Sequence, residues 1–236
     1  MLLFYVRHGD PIYNPNSLTP LGRRQAEAVA KRLALYGLDE LYASPSTRAM
    51  QTAEPTSEIL KLNINPLDFA DEAHVWRDLT CQRDDGKQTW LFQYPKTRAL
   101  LTSPEVRSLG DEWYKHPELT SYEAGIKRVY DETDKFFASL GYEHERYTGR
   151  YKVTAHNDKR IAIFAHQGFG LAFLSSLLDI PYPAFSTHFD ISHSNLTVIE
   201  FKEENGYSIP CVLTHSNDSH LYKEGLPTKY ENRIYF

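Results

Sequence analysis

Hydrophobic positions along the first third of the chain come in two kinds of run. Leu2 to Val6 is short and continuously apolar, the pattern of a strand buried on both faces in a parallel sheet. Thr19-Pro20 then supplies a helix start, with Thr as N-cap and Pro at the first helical position. Ala26, Val29, Ala30, Leu33 and Tyr36 recur on one helical face, and Gly37 stops the helix. Glu40 to Ala43 reads as a second strand. Ser44-Pro45 repeats the cap-plus-proline start for a helix reaching toward Leu60, with a kink or break expected at Pro55. Leu62 to Phe69 reads as a third strand. The alternation of strand and helix predicts an α/β fold with a parallel sheet and right-handed crossovers.

From about Asp71 to Arg150 that alternation is lost. The segment is rich in charges and aromatics, and it reads as an insertion that caps the active edge of the sheet. Late in it, Thr120 and Glu123 have capping-box spacing, and Ile126, Val129, Tyr130, Thr133, Phe136, Phe137 and Leu140 follow at helical intervals up to Gly141. This helix is expected to return to the core. Arg160 to Ala165 repeats the buried-strand pattern, and Gly168 to Leu178 is helical, ending before Pro181. Leu196 to Phe201 and Ser208 to Leu213 read as two late strands joined through Glu204-Asn205-Gly206 as a hairpin. The tail beyond Ser216 is polar and reads as irregular. The expectation is one domain over residues 1–236 with the cap inserted at about 71–150.

Composition changes this picture little. The chain has 236 residues, 41% of them hydrophobic and 24% charged, enough for a full core. A net charge of −5 and the lack of a basic run argue against a nucleic-acid partner, which needs a positive patch. A small phosphorylated substrate needs only a few cations focused in one cleft. The N-terminal apolar run is too short for a signal segment, and no stretch approaches a membrane span, so the reading is cytoplasmic, without a membrane partner. Cys81 and Cys211 stand alone and read as free thiols. A homodimer is compatible with the composition, which does not point to it.

The chemistry sits where two apolar strands end. Val6-Arg7-His8-Gly9 and Phe164-Ala165-His166 each finish a strand in a histidine, and a parallel sheet puts both ends on one side. Ser44-Pro45-Ser46-Thr47-Arg48 brings another cation to the same edge. Arg7, Arg48, His8 and His166 would form a cationic pocket for a dianion, the arginine forks being suited to phosphate oxygens. A neutral imidazole held in one tautomer can attack phosphorus, and Gly9 would let the backbone fold back closely enough to hold it. A carboxylic acid must protonate the leaving oxygen. Glu72, just past the third strand, is the first choice and Asp71 the second. His188/His193 and His215/His220 have paired spacing without a third ligand, so no metal site is assigned. Trp76, Trp90, Phe92, Tyr94, Trp113 and Tyr114 read mainly as the insertion's own core. Arg77, Arg83 and Lys87 are weak candidates for a second anionic group.

The chain resembles the histidine phosphatase superfamily, which includes cofactor-dependent phosphoglycerate mutases. Five features carry the resemblance: Arg7-His8-Gly9; Asn14; Leu18 to Ala26; Ser44 to Ala53 with Arg48; and Phe164-Ala165-His166. The resemblance implies a three-layer α/β/α sandwich with a mostly parallel sheet and one antiparallel strand. It implies that His8 becomes a phosphohistidine. Arg7, Arg48 and His166 would bind the phosphoryl group with Asn14 assisting, and Glu72 would donate the proton. It implies no metal and no cofactor. The chain departs from the family's common pattern in having Asp10-Pro11 for Glu-Thr, Gln167 for a glycine after the second histidine, and no glycine between Glu72 and Trp76.

The function expected is hydrolysis of a small phosphorylated metabolite by a histidine acid phosphatase-type phosphomonoesterase. A phosphoglycerate mutase-type phosphotransferase is the first alternative, since it shares the chemistry up to phosphohistidine. A catalytically weak binding or interaction module is the second, and retention of both histidines and both arginines counts against it.

Overall fold

The computed structural model describes residues 1–228. Its centre is a six-stranded sheet assembled from β1 (Leu2–Arg7), β2 (Glu40–Ala43) and β3 (Ile64–Pro66) of the first third, with three later strands. Between them run α1 (Pro20–Tyr36) and α2 (Thr47–Leu60). The 71–150 segment contributes α3 (Glu72–Asp78), a ribbon of β4 (Thr80–Gln82) and β5 (Gln88–Trp90), and helices α4 (Pro95–Leu101), α5 (Pro104–Ser108) and α6 (Glu123–Ser139). It ends in the hairpin β6 (Tyr142–Glu145) and β7 (Arg150–Val153). The chain then enters β8 (Arg160–Ala165), α7 (Gln167–Leu178), α8 (Tyr182–His188) and β9 (Leu196–Glu200). A short hairpin, β10 (Glu203–Glu204) and β11 (Tyr207–Ser208), precedes β12 (Cys211–Asn217) and α9 (Ser219–Lys223).

The sheet order is β12-β9-β1-β8-β2-β3. Strands β1, β8, β2 and β3 run parallel, β9 runs against β1, and β12 runs against β9. One strand of the six, β9, therefore opposes the rest, as the resemblance implies. Strand alternation divides the core into two layers. Leu3, Tyr5, Ile161, Ile163 and Ile199 point to the face covered by α6 and α7. Phe4, Val6, Leu41, Ala43, Ala162 and Phe164 point to the face covered by α1 and α2. Burial on both faces is why β1 and β8 read as unbroken apolar runs.

Several local expectations need correction. Helix α2 begins at Thr47, two residues past the expected start; the Ser44 hydroxyl still accepts the Ser46 N–H, and it also meets His166 Nε2 at 2.8 Å. It runs on through Pro55 with no break. The third strand is three residues long, since Pro66 cannot extend the ladder and a 3₁₀ turn follows over Asp68–Ala70. The Thr120/Glu123 capping box does not form: a 3₁₀ turn at Thr120–Tyr122 leads straight into α6, and Glu123 pairs with Lys127 at 2.6 Å. The Asn205-Gly206 turn, with φ of 54° and 79°, closes the small β10–β11 hairpin. That hairpin joins β7 and β6 in a second sheet, while β9 pairs with the longer β12. The region after Ser216 holds the end of β12 and α9; the remainder of that tail, 229–236, lies outside the described residues.

Candidate active site

Register brings the two histidines together. Strands β1 and β8 pair with Arg7 opposite Ala165, so the next residues, His8 and His166, leave the sheet side by side. Their ring centroids are 5.2 Å apart and both rings are buried. The His8 Nδ1 lies 2.7 Å from the Gly9 carbonyl oxygen. A carbonyl only accepts, so Nδ1 carries the hydrogen and Nε2 keeps its lone pair. Gly9 is required by packing: a Cβ there would sit 2.5 Å from the Gly22 carbonyl oxygen on α1. Its N–H donates to Thr52 Oγ1, which ties the loop to α2.

His166 caps α7 in extended conformation. Its Nε2 is 2.8 Å from Ser44 Oγ, and the Tyr5 hydroxyl donates to its carbonyl oxygen at 2.6 Å. Glu72, the first residue of α3, reaches into the same space. Its Oε1 accepts the Gly168 N–H at 2.9 Å, its Oε2 accepts from Arg48 Nη2 at 3.1 Å, and Oε2 is 3.4 Å from His166 Nδ1. Asp71 spends its carboxylate on the Ala73 N–H as the cap of α3. Of the two acids named from sequence, Glu72 is the one in contact with the histidine and arginine cluster.

Electrostatics follow from burial. Desolvation, reinforced by His166 and Arg7, holds the His8 pKa well below its ordinary value, so the ring is neutral. His166 is held down by burial and then by Arg48 and Arg7. Burial pushes the Glu72 carboxyl up against the opposing pull of Arg48 and Arg7. Among the described residues, Arg7 Nε, Arg48 Nε and His166 Nδ1 are buried without a hydrogen-bond partner. Arg7, Arg48 and His166 all act electrostatically on the His8 ring, and each brings a buried nitrogen with no partner, a set of donors suited to a tetrahedral anion.

The His8, Glu72 and His166 ligand atoms also lie within 4.8 Å of one another, close enough to bridge a cation. Two guanidinium groups beside that point, and a carboxylate already bonded to Arg48 and Gly168, make the donor set better suited to an anion.

The cluster opens into a cavity of about 1430 Å³. Asn14 is exposed and does not line it; Asn16 does, and its Oδ1 accepts from Arg48 Nη1 at 3.2 Å. Arg77 and Arg83 pair with Asp78 and Asp85, and neither they nor Lys87 line the cavity. Arg98 does, from α4. The aromatics divide: Trp113 and Tyr114 are core, while Trp76 and Trp90 form a T-shaped pair on the cavity wall with centroids 4.9 Å apart. Sequence reasoning also missed His193, Asp190 and Gln93, which reach the cavity from loops. Gln167 lies beside them and donates to Asp190.

The family model of the histidine phosphatase superfamily (branch 1) matches residues 3–130, more than half of the chain, and the protein belongs to that family. A comparison with curated proteins gives no match. Among solved structures, the chain is similar to phosphoserine phosphatase from Entamoeba histolytica in complex with 3-phosphoglyceric acid. The identity is 16% and the TM-score 0.59, over 93% of this chain and 98% of that one. It is also similar to mycobacterial glucosyl-3-phosphoglycerate phosphatase, at 16% identity and TM-score 0.59 over 92% and 99% of the two chains. At these identities the likeness is one of fold. Among the described residues, no helix is long and apolar enough to cross a membrane.

Proposed function

We propose that the protein is a phosphomonoesterase that works through a phosphohistidine at His8. The observation that carries this reading is a buried, neutral His8 whose tautomer Gly9 fixes, under the field of Arg7, Arg48 and His166, each of which carries a buried nitrogen without a partner. His8 Nε2 attacks the phosphorus. Arg7, Arg48 and His166 hold the equatorial oxygens as charge builds on them. Glu72, with its pKa raised by burial, gives its proton to the leaving oxygen and then takes one from the water that cleaves the phosphoenzyme. No step in this scheme uses a metal ion or a cofactor.

The 71–150 segment acts as a cap over the site, supplying Glu72, Trp76, Trp90, Gln93 and Arg98 to the cavity. The substrate is a small phosphorylated metabolite, its leaving group lying against Trp76 and within reach of Gln93, Arg98, Gln167 and Asp190. A cavity of about 1430 Å³ leaves room for water beside that group, which favours hydrolysis over return of the phosphoryl group to a second hydroxyl.

The test is an aryl phosphate assay with chelator present, alongside acid-quench trapping of the phosphoenzyme. Wild type should turn over, and His8→Ala should lose both turnover and label. A panel of phosphorylated metabolites scored for free phosphate and for isomers then separates phosphatase from mutase. Absence of hydrolysis and label in wild type across pH 4 to 9 (roughly the range over which Glu and His side chains titrate) would sink the reading and leave the binding module.

A further inference from the structure

His193 enters the cavity from the loop before β9, and the phosphoryl-transfer scheme gives it no part. The loop is pinned to the catalytic strand end. The Ser194 N–H donates to the carbonyl oxygens of Arg7 and His8 at 3.0 and 3.1 Å, and the Arg7 N–H donates to Asn195 O at 3.3 Å. The Ser194 hydroxyl is anchored on Gln25 O of α1 at 3.0 Å. On this fixed stage the imidazole meets three site groups. Its Nε2 is 2.9 Å from Arg7 Nη2, its Nδ1 is 3.7 Å from Asp10 Oδ1, and its ring centroid is 5.4 Å from that of His8.

The hydrogens can be assigned from valence. A guanidinium only donates, so His193 Nε2 must accept and Nδ1 must carry the hydrogen, which then faces the Asp10 carboxylate. Asp10 is itself held firmly: its N–H donates to Gln25 Oε1 at 2.8 Å, and its Oδ2 accepts the Thr19 hydroxyl at 2.8 Å. Arg7 Nη1 donates to Ile191 O of the same loop at 2.5 Å. Both terminal nitrogens of the Arg7 fork are thereby held from the His193 loop, and the buried Nε is left for the substrate.

We propose that His193 is a positioning residue: its Nε2 accepts from Arg7 Nη2, the negative Asp10 carboxylate 3.7 Å from Nδ1 favours the tautomer that leaves Nε2 able to accept, and that acceptor aims Arg7 at the phosphoryl group on His8. This rests on the phosphatase reading of the site. It also gives a use to Asp10, the residue that replaces the family's common glutamate after Arg7-His8-Gly9. Arg7 pointed by a second side chain loses less freedom when it grips phosphate, so the relay acts on phosphate affinity.

The experiment measures kcat and KM for an aryl phosphate, and the inhibition constant of inorganic phosphate, in His193→Leu, His193→Gln and Asp10→Asn. Each is made alone and with Arg7→Ala. His193→Leu should raise KM and the phosphate inhibition constant roughly tenfold, the size expected for losing one hydrogen bond to a charged group. His193→Gln, whose amide oxygen can accept from Arg7, should recover most of that loss. Asp10→Asn should move the same two constants in the same direction. On the Arg7→Ala background none of the three should matter further, because their effect runs through Arg7. A folded His193→Leu matching wild type, or an effect that adds fully to Arg7→Ala, overturns the proposal. If His193→Leu does not fold, the Asp10→Asn and His193→Gln pair decides by the same criteria. A wild type that neither hydrolyses the ester nor binds phosphate overturns the phosphatase reading as well. With a wild type that does both, a failure in the variants counts against the His193 relay alone.

Discussion

Glu72 Oε1 accepts the backbone N–H of Gly168 at 2.9 Å, which puts a carboxylate on the N-terminus of α7 while its other oxygen takes Arg48. That position is already favourable for an anion, because the helix end and the arginine both attract one. A phosphoryl dianion arriving at the same groups meets like charge unless Glu72 is protonated. Protonation is eased by burial, which pushes the carboxyl up from its ordinary value. On the phosphatase reading, substrate binding and protonation of Glu72 are therefore one event.

The pH profile follows with both signs worked out. His8 is held well below 6.5, so it stays neutral until the solution is clearly acid, and kcat/KM falls only as pH drops through that lowered value. Glu72 must hold its proton, so kcat/KM falls as pH rises through its raised value. The expected profile is a bell whose acid limb is His8 and whose alkaline limb is Glu72. Glu72→Gln should abolish the alkaline limb; a variant that keeps it would show that another group is the acid.

Leaving groups separate the same role chemically. A nitrophenolate needs little help to depart, whereas an alkoxide needs a proton. Glu72→Gln should slow turnover of an alkyl phosphate by roughly 10²- to 10⁴-fold and of a nitrophenyl phosphate by much less. Equal losses on both esters would mean that Glu72 orders the site and donates nothing.

The parts of this site that the sequence revealed are those fixed by strand ends. His8 and His166 follow paired residues of two parallel strands, and the apolar runs that mark those strands are visible without any structure. Arg48 keeps its place although α2 starts two residues later than expected, because the residue sits in the first turn in either case. Asn14 fails for a local reason. The chain between Ile12 and Ser17 is the tip of a two-residue ribbon, and nothing in its pattern says which of two asparagines faces Arg48. His193, Trp90 and Arg98 come from loops and short elements whose positions depend on contacts with distant segments. Arg98, for instance, is held by Thr187 O, 89 residues away. Hydrophobic period carries no information about such contacts.

Packing at the second histidine gives a structural prediction. A Cβ on Gly168 would lie 2.3 Å from the Trp90 ring, and that ring is wedged between Trp76 and Phe92. Gly168→Ala should shift either Trp90 or the start of α7, whose N–H holds Glu72, and should cost about 1–3 kcal/mol as overpacking. Denaturant unfolding measures the stability and turnover reports the Glu72 contact. Gly168→Ala combined with Trp90→Phe should recover part of both, and no recovery would place the strain elsewhere.

Trp76 tests the cavity. It is about one-third exposed and lines the cavity one turn of α3 after Glu72. Trp76→Ala should leave kcat for a compact ester nearly unchanged. It should raise KM for a bulky preferred substrate by roughly tenfold, the worth of losing one aromatic contact. Equal effects on both substrates would make the indole a support for Trp90 alone.

His220 offers a check on acid stability that does not depend on catalysis. It is buried under α1, with Arg32 Nη1 at 3.4 Å from its Nδ1 and Ser194 Oγ at 3.4 Å from its Nε2. A donor facing Nδ1 requires a lone pair there, so the ring fits only when neutral. Burial and the Arg32 charge push its pKa down to about 4 from 6.5. Between these values the unfolded chain binds the proton and the folded chain does not, so stability falls as pH drops below 6.5. By pH 5 the loss from this group alone is about 2 kcal/mol. His8 and His166 add to it with the same sign. Denaturant unfolding at pH 7 and pH 5 should show His220→Gln losing less stability than wild type by that amount. Parallel losses in the two proteins would mean that the ring titrates near its ordinary value and that the Arg32 contact does not hold it neutral.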